Sequence, residues 1–228
     1  MPLLGITHLG LLIGIAAAAA WLSALCRSRG ARFSRPARLA LGLALAANEL
    51  VWWIFRYSHE GIHAWNLPLQ LCDVTVWSTV CACLWPVPLV VELSYFAGLA
   101  GAGMALLTPD LWSPWPSYPA VYFFLAHGGV VIGVSLLVFG RVTLLSRRAP
   151  WRAFALLLMY AAVLGGVDAL LGANYMYLCR KPKAASLLNA FGPWPVYLAG
   201  GAAAALALFW LLSIPVRAAS RTSSRQPD

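Results

Sequence analysis

Seven stretches of roughly twenty mostly apolar residues recur along the chain, near 3–25, 38–57, 67–85, 87–107, 120–140, 151–172 and 194–214. A hydrocarbon core about 30 Å thick needs about 20 such residues to cross it as a helix, so the pattern predicts an all-α polytopic membrane bundle of about seven transmembrane helices. With 61% hydrophobic and only 10% charged residues, against about 25% charge in soluble domains, a soluble globular fold is excluded. The links between runs are too short to hold a second domain. Residues 1–216 are therefore expected to form one bundle, and 217–228 a disordered basic tail. Trp85-Pro86-Val87-Pro88 is the expected break between the third and fourth helices, because proline fixes φ and removes a donor. One long kinked helix is the alternative there.

The net charge is +9, but the basic residues sit in short links beside apolar runs, so lipid and topology explain them and no nucleic-acid partner is expected. Arg27, Arg29, Arg32, Arg35 and Arg38 follow the first helix, Arg141, Arg147, Arg148 and Arg152 surround the link before the sixth, and Arg217, Arg221 and Arg225 lie in the tail. Only Arg56, Arg180, Lys181 and Lys183 fall on the opposite side. By the positive-inside rule this places the N-terminus outside and the C-terminus inside. Tryptophans and tyrosines such as Trp65, Trp112, Trp115 and Tyr197 crowd the segment ends assigned outward, as an interfacial belt. The proline-rich link from Pro109 to Pro119 cannot be regular helix and suits a lid in the head-group layer.

Ionisable groups inside hydrocarbon are costly and mark candidate functional sites. They are Glu49, Asp73, Glu92, His127 and Asp168, with Asn48, Gln70, Cys72 and Asn174 as polar companions. Cys72 lies about five residues and His127 about seven residues below the expected outer ends of their helices, roughly 8–10 Å deep at ~1.5 Å per residue. A thiol and an imidazole at matched depth form a nucleophile and base pairing. Interhelical hydrogen bonding is the bland account of the same groups, and Cys81 and Cys83 read as apolar fillers.

His59-Glu60-Gly61-Ile62-His63 fits the H-E-x-x-H pattern of helical zinc sites. It falls in a link with a central glycine, so exposed loop histidines are the simpler reading. A zinc site would need Asp110 or Cys72 as third ligand.

Several motifs in order resemble one known group. Leu67-Pro68-Leu69-Gln70-Leu71-Cys72-Asp73, Glu92 to Gly98, Ala105 to Leu111, Phe123-Phe124-Leu125-Ala126-His127-Gly128, Gly172 to Leu178 and Gly192-Pro193-Trp194-Pro195 together resemble the bacterial YwaF-like membrane protein family, over residues 40 to 200. That family is itself similar to the eukaryotic transmembrane protein 164 family, described as cysteine-dependent acyltransferases that remodel ether phospholipids. The resemblance implies that Cys72 is the nucleophile and His127 the base, with membrane phospholipids as partners and no cofactor or metal. Family members often carry histidine where this chain has Gln70.

Asn174 is the expected third catalytic member orienting His127, with Asp168 and Glu49 as alternatives. Gln70, Glu49, Asp168, Asp110 and Tyr175 are expected to contact substrate, and a bacterial inner-membrane location follows from the resemblance. A non-catalytic bundle, such as a small transporter, a lipid-binding protein or an assembly partner, is the competing class.

Overall fold

The computed structural model describes residues 3–111, 113–182 and 187–223. It is helical throughout: α1 (Ile6–Arg29), α2 (Ala31–Glu60), α3 (Leu71–Leu84), α4 (Pro88–Leu107), α5 (Tyr118–Phe139), α6 (Ala149–Leu171) and α7 (Val196–Ser223), with single helical turns at Tyr175–Tyr177 and Leu187–Phe191. No strand occurs among the described residues. Among the described residues six helices are long and apolar enough to cross a bilayer, and α3 is a shorter apolar helix of 14 residues.

The expected break is present. α3 ends at Leu84, Trp85 to Val87 form a tight turn, and Pro88 opens α4 at a position where its missing N–H has no helical partner to lose. α4 widens to a π-turn at Ser94–Gly98. Three boundaries differ from the sequence reading. α2 begins at Ala31, taking the arginine-rich link into its first turns, and Gly30 at φ 62° alone turns the chain between α1 and α2. α3 begins at Leu71 and not near 67, because the preceding residues are bonded as a loop: Leu67 N–H donates to Tyr175 Oη and Tyr160 Oη donates to the Leu69 carbonyl. The expected disordered tail is helical as far as Ser223.

α5 is the central helix. It packs against α1, α2, α3 and α4, and buried residues run along nearly its whole length, whereas α1 buries only His8, Ala19, Ser23 and Cys26. A helix apolar on every face yet mostly uncovered is one that faces lipid. Small residues permit the close crossings. A Cβ on Gly133 of α5 would lie 2.8 Å from Thr79 Cγ2 of α3, and one on Gly42 of α2 would lie 2.9 Å from Cys83 Cβ.

At one end of the bundle arginines close the helix termini. A helix C-terminus leaves carbonyls without partners, and in hydrocarbon each would cost several kcal/mol. Arg27 donates to the Phe139 carbonyl at the end of α5, at 2.7 Å. Arg38 donates to the last carbonyls of α3, Cys83 and Leu84. Arg152 pairs with the fully buried Glu92 carboxylate and also donates to Ser146.

Candidate functional site

The site lies at the opposite end, around the start of α3. Asp73, at the third position of the helix, reaches back to accept the Gln70 backbone N–H at 2.9 Å, which is one half of a capping box. Cys72 is therefore in the first turn of a helix, with an exposed side chain. This is shallower in its own helix than the sequence suggested.

His127 sits in α5, 7% exposed. Its Nδ1 is 2.8 Å from the Phe123 carbonyl. A carbonyl can only accept, so Nδ1 carries the hydrogen and Nε2 presents a bare lone pair. That Nε2 is buried and has no partner. Leaving a buried acceptor unpaired costs about 1–3 kcal/mol. The ring is steadied by Phe123, whose centroid lies 4.3 Å away.

Packing around Gly98 of α4 sets the register between the two residues. A Cβ there would meet Val130 Cγ1 of α5 at 3.0 Å and Thr75 Cβ of α3 at 3.7 Å. One turn further from the arginine end, α3 presents Leu71 and Cys72, α5 presents His127, and α4 presents Gly101. Leu71 Cδ2 lies 3.9 Å from the Cβ position of Gly101, which fixes that level. Thr75 and Val130 thus meet at Gly98, Cys72 and His127 each lie three residues further along their adjacent helices, and no hydrogen bond joins Cys72 to His127 among the described residues.

Glu49 is fully buried in α2, accepting from Trp53 Nε1 and from Tyr122 Oη, both at 2.9 Å. Glu49 and Asp73 are within electrostatic reach of the Cys72 thiol. Trp52 stacks on Tyr122 with centroids 4.2 Å apart, holding α2 against α5 beside the acid.

The link after α6 crosses this end. Asp168 accepts the Tyr175 N–H at 2.8 Å, and its second oxygen is buried without a partner. Tyr175 is a buried strut, since its hydroxyl donates to the Ala64 carbonyl at 2.7 Å and accepts from the Leu67 N–H at 2.8 Å. Gln70 Oε1 accepts the Met176 N–H at 3.0 Å. Met176 and Tyr177 are both left-handed, at φ 52° and 57°. Neither is a residue type that favours this region, and such strain costs of order 1–3 kcal/mol each. Burial pushes the Tyr177 hydroxyl above the ordinary phenol range, with the nearby Asp110 carboxylate and Cys72 adding to the shift. Burial likewise raises Tyr175.

The structure corrects one sequence expectation here and breaks the zinc pattern already set aside in favour of loop histidines. Asn174 does not orient His127: its Oδ1 accepts the N–H groups of Cys179 and Arg180, both at 3.0 Å, and its Nδ2 donates to the Arg180 carbonyl. The Phe123 carbonyl holds the position on His127 that Asn174, Asp168 or Glu49 was expected to fill. The zinc pattern is also broken, because α2 ends at Glu60 and Gly61 turns away at φ 73°. His59 bonds to the Phe55 carbonyl, Glu60 pairs with Arg56, and the His63 ring stacks on Trp65. Among the described residues no three His, Cys, Asp or Glu groups are placed to hold a metal.

Of the remaining expected contacts, Asp110 is exposed in the link after α4. Arg56 is paired with Glu60 and lies over Trp53, Lys181 lies over the Tyr197 ring, and Lys183 and Trp112 fall outside the described residues. Tyr122 as the partner of Glu49, and the left-handed pair Met176 and Tyr177, are features that sequence reading missed. Only the aromatic residue at a matching depth hints at the first. No residue type signals the second.

No curated protein and no solved structure matches the chain. The TMEM164 family profile does, over residues 3–213, which spans the first six helices, much of the seventh and every residue of the candidate site. The chain belongs to the TMEM164 family.

Proposed function

We propose that the protein is a membrane-embedded lipid acyltransferase or hydrolase that works through a thioester on Cys72, with His127 as its base. The observation that carries this reading is the bare, buried Nε2 of His127, in a helix packed against the one whose first turn carries Cys72. His127 Nε2 takes the Cys72 proton, and the thiolate adds to the carbonyl carbon of a phospholipid or lysophospholipid ester. The intermediate collapses, the lipid alkoxide leaves with the proton from Nε2, and the acyl group stays on sulfur. An acceptor hydroxyl or water then gives its proton to Nε2 and attacks the thioester, and the thiol is restored. No cofactor enters these steps.

In this reading the arginine end is cytoplasmic, the N-terminus is outside, and the ester is met near the outer leaflet of a bacterial inner membrane. Lipid enters sideways between helices. A crevice of about 440 Å³ between α1, α2 and α5, lined by Ile15, Leu45, Phe124, Leu125 and Ile132 among others, offers apolar room against Gly128 and Gly129 of α5, with neither Cys72 nor His127 in its lining.

The same crevice favours a second reading, a lipid-binding bundle with no chemistry. One experiment separates them: purified protein is given lysophospholipid and an acyl-labelled phospholipid, and transfer and hydrolysis are followed for the wild type, Cys72→Ala and His127→Ala. Loss of about 100-fold or more is expected for each variant, the range of general-base contributions. Lipid bound at a fixed stoichiometry, with product formation equal in all three, overturns the catalytic reading in favour of the second.

A further inference from the structure

Among the described residues that line the crevice between α1, α2 and α5, Asn48 alone has a polar side chain. That side chain makes no hydrogen bond to a described residue, and its Nδ2 is buried without an acceptor. Its neighbour Glu49 is the contrast, since both of its oxygens are satisfied by Trp53 and Tyr122. An amide donor left unpaired inside hydrocarbon is costly, and the crevice is the one open space that Asn48 borders in which a partner can sit. Either end of a carboxamide can face it, because the oxygen and nitrogen are nearly alike in shape and a half-turn about the last bond exchanges them.

The crevice has a direction. Leu41, Ala44, Leu45 and Asn48 form its α2 wall, and Asn48 is the member farthest from Arg38 and the arginine end. At ~1.5 Å per residue this wall is roughly 10 Å long, with an amide at one end and hydrocarbon along the rest. All three helices that bound it are long and apolar enough to cross a bilayer, so what enters comes from the membrane. No ionisable side chain lines it among the described residues, which disfavours a carboxylate or phosphate inside. The matching occupant is an uncharged hydrocarbon chain with a hydrogen-bond acceptor at one end, which describes an acyl chain and its ester carbonyl.

We propose that the crevice seats one acyl chain of a diacyl membrane phospholipid, with the Asn48 amide donating a hydrogen bond to that chain's ester carbonyl and the chain running toward the arginine end. The assignment rests on the lipid reading common to both functions above and not on the thioester step. Gly128 and Gly129 form part of the lining as bare backbone: a Cβ on the first would lie 2.8 Å from Ile15 Cδ1 and on the second 2.4 Å from Leu45 Cδ2. Substituting either would push α1 or α2 away. Ala44, exposed on the α2 wall, is the position from which the crevice can be filled without disturbing that packing.

The test uses the full chain carrying Cys72→Ala, so that no ester is turned over, in nanodiscs of a diether phosphatidylcholine. Trace phosphatidylcholine with a diazirine midway along one chain is added, that chain being joined by an ester in one probe and by an ether in the other, and the crosslinked residues are mapped by mass spectrometry. The ester probe is expected to label Ile15, Leu45 and Ile132 about 10-fold more than the ether probe, the worth of one hydrogen bond to a donor otherwise buried and unpaired. Asn48→Leu, which keeps the volume and removes the donor, is expected to bring both probes to one level. Ala44→Trp is expected to remove crevice labelling by both. Equal crevice labelling by the two probes before any further substitution overturns the assignment, as does an ester preference that survives in Asn48→Leu. Labelling spread evenly over α6, α7 and the crevice marks bulk lipid only and overturns it too. None of these readouts is acyl transfer: a Cys72→Ala protein that transfers as well as wild type defeats the thioester reading and leaves this one, and equal labelling does the reverse.

Discussion

The two ends of the bundle treat buried polar groups in opposite ways. At the arginine end, donors are brought in from neighbouring helices to meet helix-terminal carbonyls, and the buried Glu92 is given a guanidinium. At the Cys72 end, the bonds go to fixing loops, while His127 Nε2 and one oxygen of Asp168, the latter beside the left-handed Met176 and Tyr177, stay buried and unpaired. Among the described residues, Glu92 Oε2 alone breaks the pattern at the arginine end. Under the proposed function the difference separates a part of the molecule that holds helices together from a part that holds reactive groups in place, and it can be tested by asking which substitutions lower stability and which lower only activity.

The largest stability effect is expected at Arg152. Arg152→Ala leaves the fully buried Glu92 without its partner. Breaking a buried pair costs about 3–5 kcal/mol, and the half-exposed position of Arg152 reduces this to about 2 kcal/mol. For a chain of this size that is a fall of roughly 4–8 °C in Tm, read from tryptophan fluorescence in detergent, with acyl transfer at low temperature little changed. An unaltered Tm would show that the ion pair does not brace α4 against α6. Next comes Gly42→Ala, whose Cβ would lie 2.9 Å from Cys83 Cβ and 3.5 Å from the Val80 carbonyl. Helix backbones must then part, at a cost of about 1–2 kcal/mol. The same fluorescence scan should show a smaller shift, and a variant as stable as wild type would mean that α2 and α3 can separate freely at this crossing.

The contrast between the ends was only partly legible in the sequence. Each helix was, because a run long enough to span hydrocarbon has few other uses, and Trp85-Pro86-Val87-Pro88 marked its break by proline geometry. The start of α3 was not, since Leu67 and Leu69 are as apolar as helix residues and only their bonds to Tyr175 and Tyr160, about a hundred residues away, keep them in a loop. The matched depth of Cys72 and His127 is an expectation from counting turns, and the Gly98 contacts show only that Thr75 and Val130, one turn away on the same two helices, meet across one glycine. The tautomer of His127 could not be read, because it depends on which nitrogen meets the Phe123 carbonyl. Asn174 was mistaken for a partner of His127 for a related reason: a carboxamide that closes its own loop looks, in one dimension, like one that reaches across a bundle.

The smallest stability effect, and the sharpest divider of the two ends, is expected at His127. His127→Leu replaces an imidazole whose Nε2 is buried and unpaired by an apolar side chain in the same apolar surroundings. At a position that serves only packing, exchanging a satisfied polar side chain for another residue lowers stability. Here the group removed is one the fold tolerates at a cost, so Tm should hold or rise by the equivalent of up to about 1 kcal/mol. Transfer should fall at least about 100-fold in the same preparation. Stability gained where activity is lost is the signature of a residue kept for chemistry. A fall in Tm matching that of Arg152→Ala would place His127 with the bracing groups and erase the difference between the two ends.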